Sequence, residues 1–317
     1  MSTPTSLKLP EGTRRATVET ERGAFAVLDA LPAAGPCELG TVLLVPGYTG
    51  SKEDFIAMLG PLAAAGRRVI AVDQRGQYQT AGPDDPEAYD PRELGADVAA
   101  LLDATQAVHL LGHSFGGLVA REALLGGCRP ASLTLLSSGP AALPGPRAEQ
   151  LLYILGYLDG TSVTGLRAKV AEIWAGGLKP EAAAAEPPEA IMAFLEERML
   201  ANNPIGLVTM ATHLLKAEDK TAELAACDVP AYVLYGEDDN AWPTGQQQDM
   251  AVRLGAERTC IPGAAHNPNV EAPATTAHAL TKFWNSAERA PDGKNRHRIG
   301  RARRPISRGD DPPSPPM

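Results

Sequence analysis

The segment Val108–Gly117, with the sequence VHLLGHSFGG, decides how this chain folds. It begins as an apolar run typical of a buried strand, and Leu118–Ala120 then begin a helical pattern. Gly112 and Gly116 flank Ser114 at the turn, where a strand that changes sharply into a helix leaves no room for larger side chains. The spacing therefore predicts a strained turn that exposes the Ser114 hydroxyl beside the free backbone N–H groups of a helix N-terminus. A glycine-rich turn without chemistry is the alternative, and the strand–turn–helix context argues against it.

Short apolar runs recur on both sides of this segment and alternate with helical patterns. Such runs are typical of parallel strands that are buried on both faces, and the alternation indicates an α/β fold. Two earlier runs, Ala16–Thr20 and Gly23–Leu28, alternate apolar and polar residues and predict an antiparallel hairpin at the sheet edge. The other predicted strands are Thr41–Val45, Arg68–Val72, Val108–Leu111, Ser132–Leu136, Ala231–Tyr235 and Glu257–Ile261.

The strand pattern disappears over residues 140–225, where amphipathic helical patterns follow one another. A helical stretch of this length within an α/β alternation predicts a cap over the carboxyl edge of the sheet. The predicted core is therefore 1–139 with 226–286, and the sequence of 287–317 predicts a disordered, basic, proline-rich tail. Within the cap, Lys179–Glu189 predicts a low-complexity loop. The predicted cap helices are Leu151–Leu158, Leu166–Trp174, Ala190–Leu200 and Ile205–Leu215.

Composition excludes several classes of protein. The 317 residues include 38 acidic and 29 basic side chains, for a net charge of −9, which argues against a nucleic-acid binder. The balance is uneven, because residues 1–284 carry a net −13 and residues 285–317 a net +4. We expect a soluble cytoplasmic protein, because no apolar run has the length of a membrane helix or the form of a signal peptide. The four cysteines are far apart, so we expect reduced thiols and no metal site.

A serine needs a general base to become a nucleophile, and His266 is the leading candidate among six histidines. It follows a late strand in a loop bounded by Gly263 and Pro268, which places it at the carboxyl edge of the sheet. An acid to orient this histidine is offered by Asp238 or Asp239, which follow another strand.

The order Ser114, Asp239, His266 and three further motifs resemble the α/β-hydrolase superfamily over residues 15–286. The motifs are the oxyanion loop Val45–Gly50 (VPGYTG), the turn Asp73–Gly76 (DQRG) and the approach Gly263–His266 (GAAH). The resemblance, to a serine-nucleophile, capped branch of esterases and cofactor-free haloperoxidases, implies a mostly parallel sheet of about eight strands. It further implies helices on both faces and a helical cap inserted after the sixth strand.

The resemblance also implies roles for single residues. The family acid commonly stands three residues after a glycine, which favours Asp239 over Asp238. The backbone N–H groups of Tyr48 and Phe115 would form the oxyanion hole. Pro46 stands where the family often has a histidine that braces this loop, so the geometry of the loop is an open question.

Serine at the turn implies acyl transfer to water, because epoxide hydrolases and haloalkane dehalogenases of this superfamily use aspartate there. We expect a serine hydrolase that cleaves a small neutral carboxylic ester without metal or organic cofactor. A thioesterase, a C–C bond hydrolase, a lactonase or a haloperoxidase/perhydrolase would use the same three residues, and a non-catalytic binding protein is the alternative of another class. Side chains that could line the acyl pocket are Trp174, Met192, Phe194 and Trp242, although helical apolar residues more often serve packing alone.

Overall fold

The computed structural model describes residues 2–176 and 187–289. In this part of the chain the strands form an eight-stranded sheet in the order β1-β2-β4-β3-β5-β6-β7-β8. The pairs β1/β2 and β2/β4 are antiparallel and all other pairs are parallel, which confirms the predicted sheet and its edge hairpin. The strands are β1 (Thr13–Thr20), β2 (Gly23–Ala30), β3 (Leu39–Val45), β4 (Arg67–Val72), β5 (His109–His113), β6 (Ser132–Leu136), β7 (Ala231–Gly236) and β8 (Glu257–Ile261).

Helices cover both faces of this sheet because its central strands alternate their side chains between two apolar layers. In β3, Leu43 and Val45 belong to one layer, while Val42 and Leu44 belong to the other. The first layer includes residues of α2, α3 and α9, and the second includes residues of α1 and α11. These helices are α1 (Ile56–Ala64), α2 (Pro91–Thr105), α3 (Phe115–Leu125), α9 (Thr244–Leu254) and α11 (Pro273–Arg289), with the short α10 (Pro268–Glu271) before the last.

Five helices lie between β6 and β7, in the segment predicted to be a cap. Each of the four helices expected there is present and extends beyond its predicted bounds, the first by six residues at its amino end and the others by one to three residues; α8 was not predicted. A buried ion pair attaches the segment to the core, because Arg198 Nη1 lies 2.6 Å from Asp54 Oδ1. Most of the predicted loop Lys179–Glu189 lies outside the described residues, and Glu189 already belongs to a helix. The helices are α4 (Gly145–Leu158), α5 (Val163–Ala175), α6 (Glu189–Ala201), α7 (Pro204–Lys216) and α8 (Thr221–Ala225).

The boundary predicted after residue 286 is wrong, because α11 continues to Arg289. The extension is held by Glu288, whose Oε1 accepts a hydrogen bond from Arg67 Nη1 at 2.9 Å. Composition placed this last helical turn in the basic tail, whereas a long-range ion pair joins it to the core. The remaining tail, residues 290–317, lies outside the described residues. None of the described helices combines the length and apolarity needed to cross a membrane.

Candidate active site

Ser114 occupies the turn between β5 and α3 in a strained conformation, with φ 54° and ψ −121°. The neighbouring glycines are required for steric reasons. A Cβ atom at Gly112 would lie 2.2 Å from the carbonyl oxygen of Gly116, and one at Gly116 would lie 2.4 Å from the carbonyl oxygen of Pro46. The elbow therefore forms only with glycine at both positions, as the sequence pattern indicated. Ser114 is 9% exposed at the end of the strand.

His266 reaches Ser114 from the loop between β8 and α10. Its Nε2 lies 3.0 Å from Ser114 Oγ, within hydrogen-bonding distance for accepting the hydroxyl proton. The ring of Trp242 lies beside it, at 6.3 Å between ring centroids. Parallel strands bring these loops together at one edge of the sheet although 152 residues separate the serine from the histidine.

The carboxylate that meets His266 is that of Asp239, whose Oδ1 lies 2.9 Å from His266 Nδ1. The side chain of Asp238 is exposed instead. Asp239 also accepts hydrogen bonds from the Ala241 N–H and from Gln247 Nε2, both at 2.9 Å. Burial raises the pKa of Asp239, but the hydrogen bonds and the charge of His266 outweigh burial and bring this pKa below its ordinary value. Asp239 is therefore ionised at neutral pH and holds a proton on His266 Nδ1.

The loop after β3 lies directly against the elbow. A Cβ atom at Gly47 would be 3.0 Å from Ser114 Cβ, so a larger residue would push the loop and the elbow apart by a few tenths of an ångström. Within the described part of the chain, neither the Tyr48 N–H nor the Phe115 N–H donates a hydrogen bond to another group. The Phe115 N–H also belongs to the first turn of α3, where the helix dipole favours negative charge. Both N–H groups are thus without an acceptor among the described residues.

A sequence model of the alpha/beta hydrolase family matches residues 42–279, which span the elbow, the acid and the histidine loop. The chain belongs to the alpha/beta hydrolase family. Its similarity to other members is moderate. It is 32% identical to RutD of Variovorax paradoxus (strain S110), a candidate carbamate hydrolase by its name, over 78% of this chain and 93% of RutD.

Two further alpha/beta hydrolase likenesses show how widely the fold is shared. The chain is 31% identical to Epoxide hydrolase A of Mycobacterium tuberculosis (strain ATCC 25618 / H37Rv), over 60% of each chain. The esterase EaEST of Exiguobacterium antarcticum superposes with a TM-score of 0.66 over 86% of this chain and 100% of its own, at 18% identity. At that identity the superposition supports the fold alone.

Two buried glutamines, which sequence reasoning missed, donate hydrogen bonds to backbone carbonyl oxygens of the loop after β3. Gln74 Nε2 donates to the Pro46 carbonyl oxygen at 2.9 Å, and Gln77 Nε2 donates to the Gly47 carbonyl oxygen at 3.1 Å. Both glutamines lie in the turn after β4 that contains the Asp-Gln-Arg-Gly motif. The motif identified the turn, but no pattern in the sequence shows where its side chains point.

His113, the neighbour of the nucleophile, does not contact the Ser114 hydroxyl and instead supports the histidine loop. Its Nε2–H donates to the backbone carbonyl oxygen of His266 at 2.9 Å. Burial lowers the pKa of His113 to about 3, so this ring is neutral at physiological pH.

Of the four predicted pocket residues, only Trp242 lies beside His266. Trp174, Met192 and Phe194 belong to a separate apolar cluster. Trp174 and Phe194 are buried in a cluster with Ile191 and Leu195, and Met192 packs against it. This cluster lies between α5 and α6, separate from the apolar layer that contains Trp242. In the described ranges, no group of three or more His, Cys, Asp or Glu side chains is arranged to hold a metal ion.

Proposed function

We propose that this protein is a serine hydrolase that cleaves small neutral carboxylic esters through an acyl-enzyme on Ser114. One observation carries the proposal: the hydrogen-bonded chain from Ser114 Oγ through His266 to Asp239 ends beside two unpaired backbone donors. Nucleophile, base, orienting acid and oxyanion donors are together the full set of groups that acyl transfer needs.

In the proposed reaction His266 Nε2 removes the Ser114 proton as the hydroxyl oxygen attacks the ester carbonyl carbon. The resulting imidazolium is stabilised by Asp239, which is already ionised at neutral pH. His266 then gives the proton to the departing alcohol. In the second half, water attacks the acyl-enzyme with His266 as base, and Ser114 is regenerated.

The negative charge that develops on the carbonyl oxygen would be held by the N–H groups of Tyr48 and Phe115. Such donors act strongly in a site with little water, because they are oriented before the reaction begins. The low exposure of Ser114 and His266, 9% and 7%, supports this arrangement.

We propose that residues 140–225 cap this site and select the acyl group. Two contacts support the assignment. Trp242 Nε1, beside His266, donates to the Ala141 carbonyl oxygen at 3.1 Å. Met210 Sδ of α7 lies 3.9 Å from Gln77 Nε2, next to the oxyanion loop. Trp242 and Met210 would offer apolar surface to a substrate in this region, which suits a neutral ester better than a charged one.

Carbamate hydrolysis is the second candidate, because RutD, at 32% identity, is named for this activity. The same three side chains would attack the carbamate carbonyl, and only the leaving group would differ. Thioesters, lactones, C–C bonds and peracid formation also remain within reach of this chemistry.

The proposal is tested by labelling with a fluorophosphonate, which reacts preferentially with activated serines. We expect the wild-type protein to be labelled and Ser114→Ala to remain unlabelled. Ser132→Ala is the matched control and should be labelled like the wild type. If the wild type stays unlabelled, or Ser114→Ala is labelled equally, the protein is not a serine hydrolase of this kind.

A matched substrate series then tests the class of acyl group. p-Nitrophenyl acetate, the corresponding thioester and an aryl carbamate should be compared by kcat/KM. We expect the oxygen ester to be the best substrate, and a higher kcat/KM for the carbamate would replace the first proposal by the second.

A further inference from the structure

The oxyanion loop contains the Gly47–Tyr48 peptide, whose carbonyl oxygen is bound on the side opposite its N–H group. In a trans peptide the C=O and N–H bonds point in opposite directions. Every described peptide bond is trans, so the Gly47 carbonyl and the Tyr48 N–H are the two ends of one rigid plane. Whatever holds the Gly47 oxygen therefore also sets the direction of the Tyr48 N–H.

Two donors hold the Gly47 oxygen. The Gly50 N–H donates to it at 3.1 Å and closes the tight turn of the loop. Gln77 Nε2 donates to the same oxygen, also at 3.1 Å, from the turn after β4. The first bond is internal to the loop, whereas the second ties the loop to a separate part of the core.

We propose that Gln77 is a positioning residue of the oxyanion hole, which aims the Tyr48 N–H by holding the opposite end of its peptide. This inference rests on the proposed function, because the Tyr48 N–H matters only if an oxyanion forms on Ser114. In the described ranges Gln77 forms no hydrogen bond with Ser114 or His266. Its amide nitrogen contacts the Gly47 oxygen and, at 3.9 Å, Met210 Sδ, so it would act on the oxyanion through the peptide.

The placement of Gln77 is rigid enough for this role. The side chain is 1% exposed, and its backbone N–H donates to the Gln74 carbonyl oxygen at 2.9 Å. Gly76 precedes it with φ +70°, a conformation that favours glycine, and the Gly76 carbonyl oxygen accepts from the Asn203 N–H at 2.8 Å. The turn that carries the glutamine is thus anchored to the start of α7.

Packing alone does not explain this amide. Gln77 Oε1 is buried, and no described residue donates a hydrogen bond to it, which is also true of Gln74 Oε1. A buried polar atom without a protein partner gives no gain in stability over an apolar group of the same shape. The amide also polarises the peptide that it binds, because hydrogen bonds in a chain strengthen one another, and a polarised peptide is a better oxyanion donor.

Gln74 is the matched control within the same turn. Its Nε2 donates to the Pro46 carbonyl oxygen, so it holds the preceding peptide, which carries the Gly47 N–H. If the proposal is right, removing this amide leaves the plane of the Tyr48 N–H in place. Both residues are buried glutamines of equal size, and their substitutions create comparable changes in packing.

The experiment compares Gln77→Met with Gln74→Met on p-nitrophenyl acetate. Methionine keeps the length of the side chain and removes its donors, while the Gly50 bond keeps the loop folded. We expect kcat to fall about tenfold in Gln77→Met with KM within about twofold, because the lost alignment matters only in the transition state. Gln74→Met should keep kcat within about threefold of wild type.

A trifluoromethyl ketone provides a readout that a structural role would not change, because its adduct with Ser114 carries an oxyanion. Its affinity for Gln77→Met should fall by the same factor as kcat, while Tm stays within a few degrees of the wild type. Unchanged kcat in Gln77→Met, equal losses in both variants, or a parallel rise in KM would overturn the proposal. Wild-type turnover of the ester is measured first, so failure of the proposed function is recognised separately.

Discussion

Strand β5 has a serine–histidine–carboxylate arrangement at each of its ends, and we propose catalysis at only one of them. At its amino end, Ser132 Oγ lies 2.8 Å from His109 Nδ1, and His109 Nε2 lies 2.8 Å from Glu288 Oε1. These distances are at least as short as the corresponding ones at Ser114, which are 3.0 and 2.9 Å. Distances between the three side chains therefore do not distinguish the two ends.

Access and backbone donors do distinguish them. Ser132 and His109 are both fully buried, so no substrate can approach the Ser132 hydroxyl. Ser132 also begins a central strand whose backbone is paired within the sheet. Ser114 instead lies on a strained turn at a helix N-terminus, where N–H groups remain unpaired.

The carboxylates differ as well. Arg67 forms an ion pair with Glu288 at 2.9 Å. The Glu288 carboxylate therefore balances a buried guanidinium as well as orienting His109. Asp239 has no arginine or lysine partner among the described ion pairs, and its charge is directed to His266. A serine, a histidine and an acid in contact thus become a candidate active site only where the fold adds exposure and oriented donors.

The largest expected difference between the two ends concerns their carboxylates. Asp239→Asn keeps the shape of the site but removes the charge that stabilises the imidazolium and favours the wrong His266 tautomer. We expect kcat for p-nitrophenyl acetate to fall about 10,000-fold. Glu288→Gln should keep kcat within about twofold, because no reacting atom depends on it.

Steady-state kinetics on both variants checks this contrast, with Asp238→Asn as the control for the neighbouring carboxylate. Asp238→Asn should be as active as the wild type. Full activity in Asp239→Asn, or a large loss in Glu288→Gln, would show that the two ends have been assigned the wrong way round.

The same Glu288→Gln change should lower the stability of the fold. No such loss is required for Asp239→Asn, because Asp239 balances no buried arginine or lysine among the described ion pairs. Removing the carboxylate leaves Arg67 buried and without its compensating charge. We expect the free energy of unfolding to fall by about 3 kcal/mol. Urea unfolding at pH 7.5 measures it, and Glu257→Gln, at an exposed position, should change it by less than about 0.5 kcal/mol. An equally small change for Glu288→Gln would mean that the ion pair between Arg67 and Glu288 does not stabilise the fold.

The smallest expected effect is on the pH dependence of stability and concerns His113, at the carboxyl end of β5. Its pKa is about 3 in the folded protein against an ordinary value of 6.5, so the unfolded chain binds the extra proton between these values. The contribution of neutral His113 is complete above pH 6.5 and is lost progressively as the pH falls towards 3. At pH 5.0 about 2 kcal/mol should already be lost relative to pH 7.5.

Urea unfolding at these two pH values checks the prediction in the wild type and in His113→Gln. The difference between the two pH values should shrink in the variant by about that amount. His278→Gln removes an exposed histidine and should preserve the wild-type difference. If His113→Gln preserves it too, His113 does not oppose protonation in the folded state.

Local patterns identified much of the fold correctly. Ser132–Leu136 and Glu257–Ile261 are strands with the predicted bounds. The first is apolar and fully buried, as its run of leucines indicates, whereas the second is a mostly exposed edge strand. The turn around Ser114 was likewise predictable, since the two glycines relieve clashes between atoms that are close in sequence. Sequence thus determined the sheet, the alternation of helices and the nucleophile elbow.

Contacts between distant segments were decided only by the tertiary structure. The resemblance favoured Asp239 over Asp238, but the contact itself depends on which side chain faces a loop 27 residues away. The ion pair of Glu288 joins residues 221 positions apart, so composition alone assigned this helical turn to the tail. Gln77 could not be recognised, because the direction of a buried amide depends on neighbours from other elements. Local sterics and periodicity are encoded in neighbouring residues, whereas the partner of a polar side chain is set by how the whole chain packs.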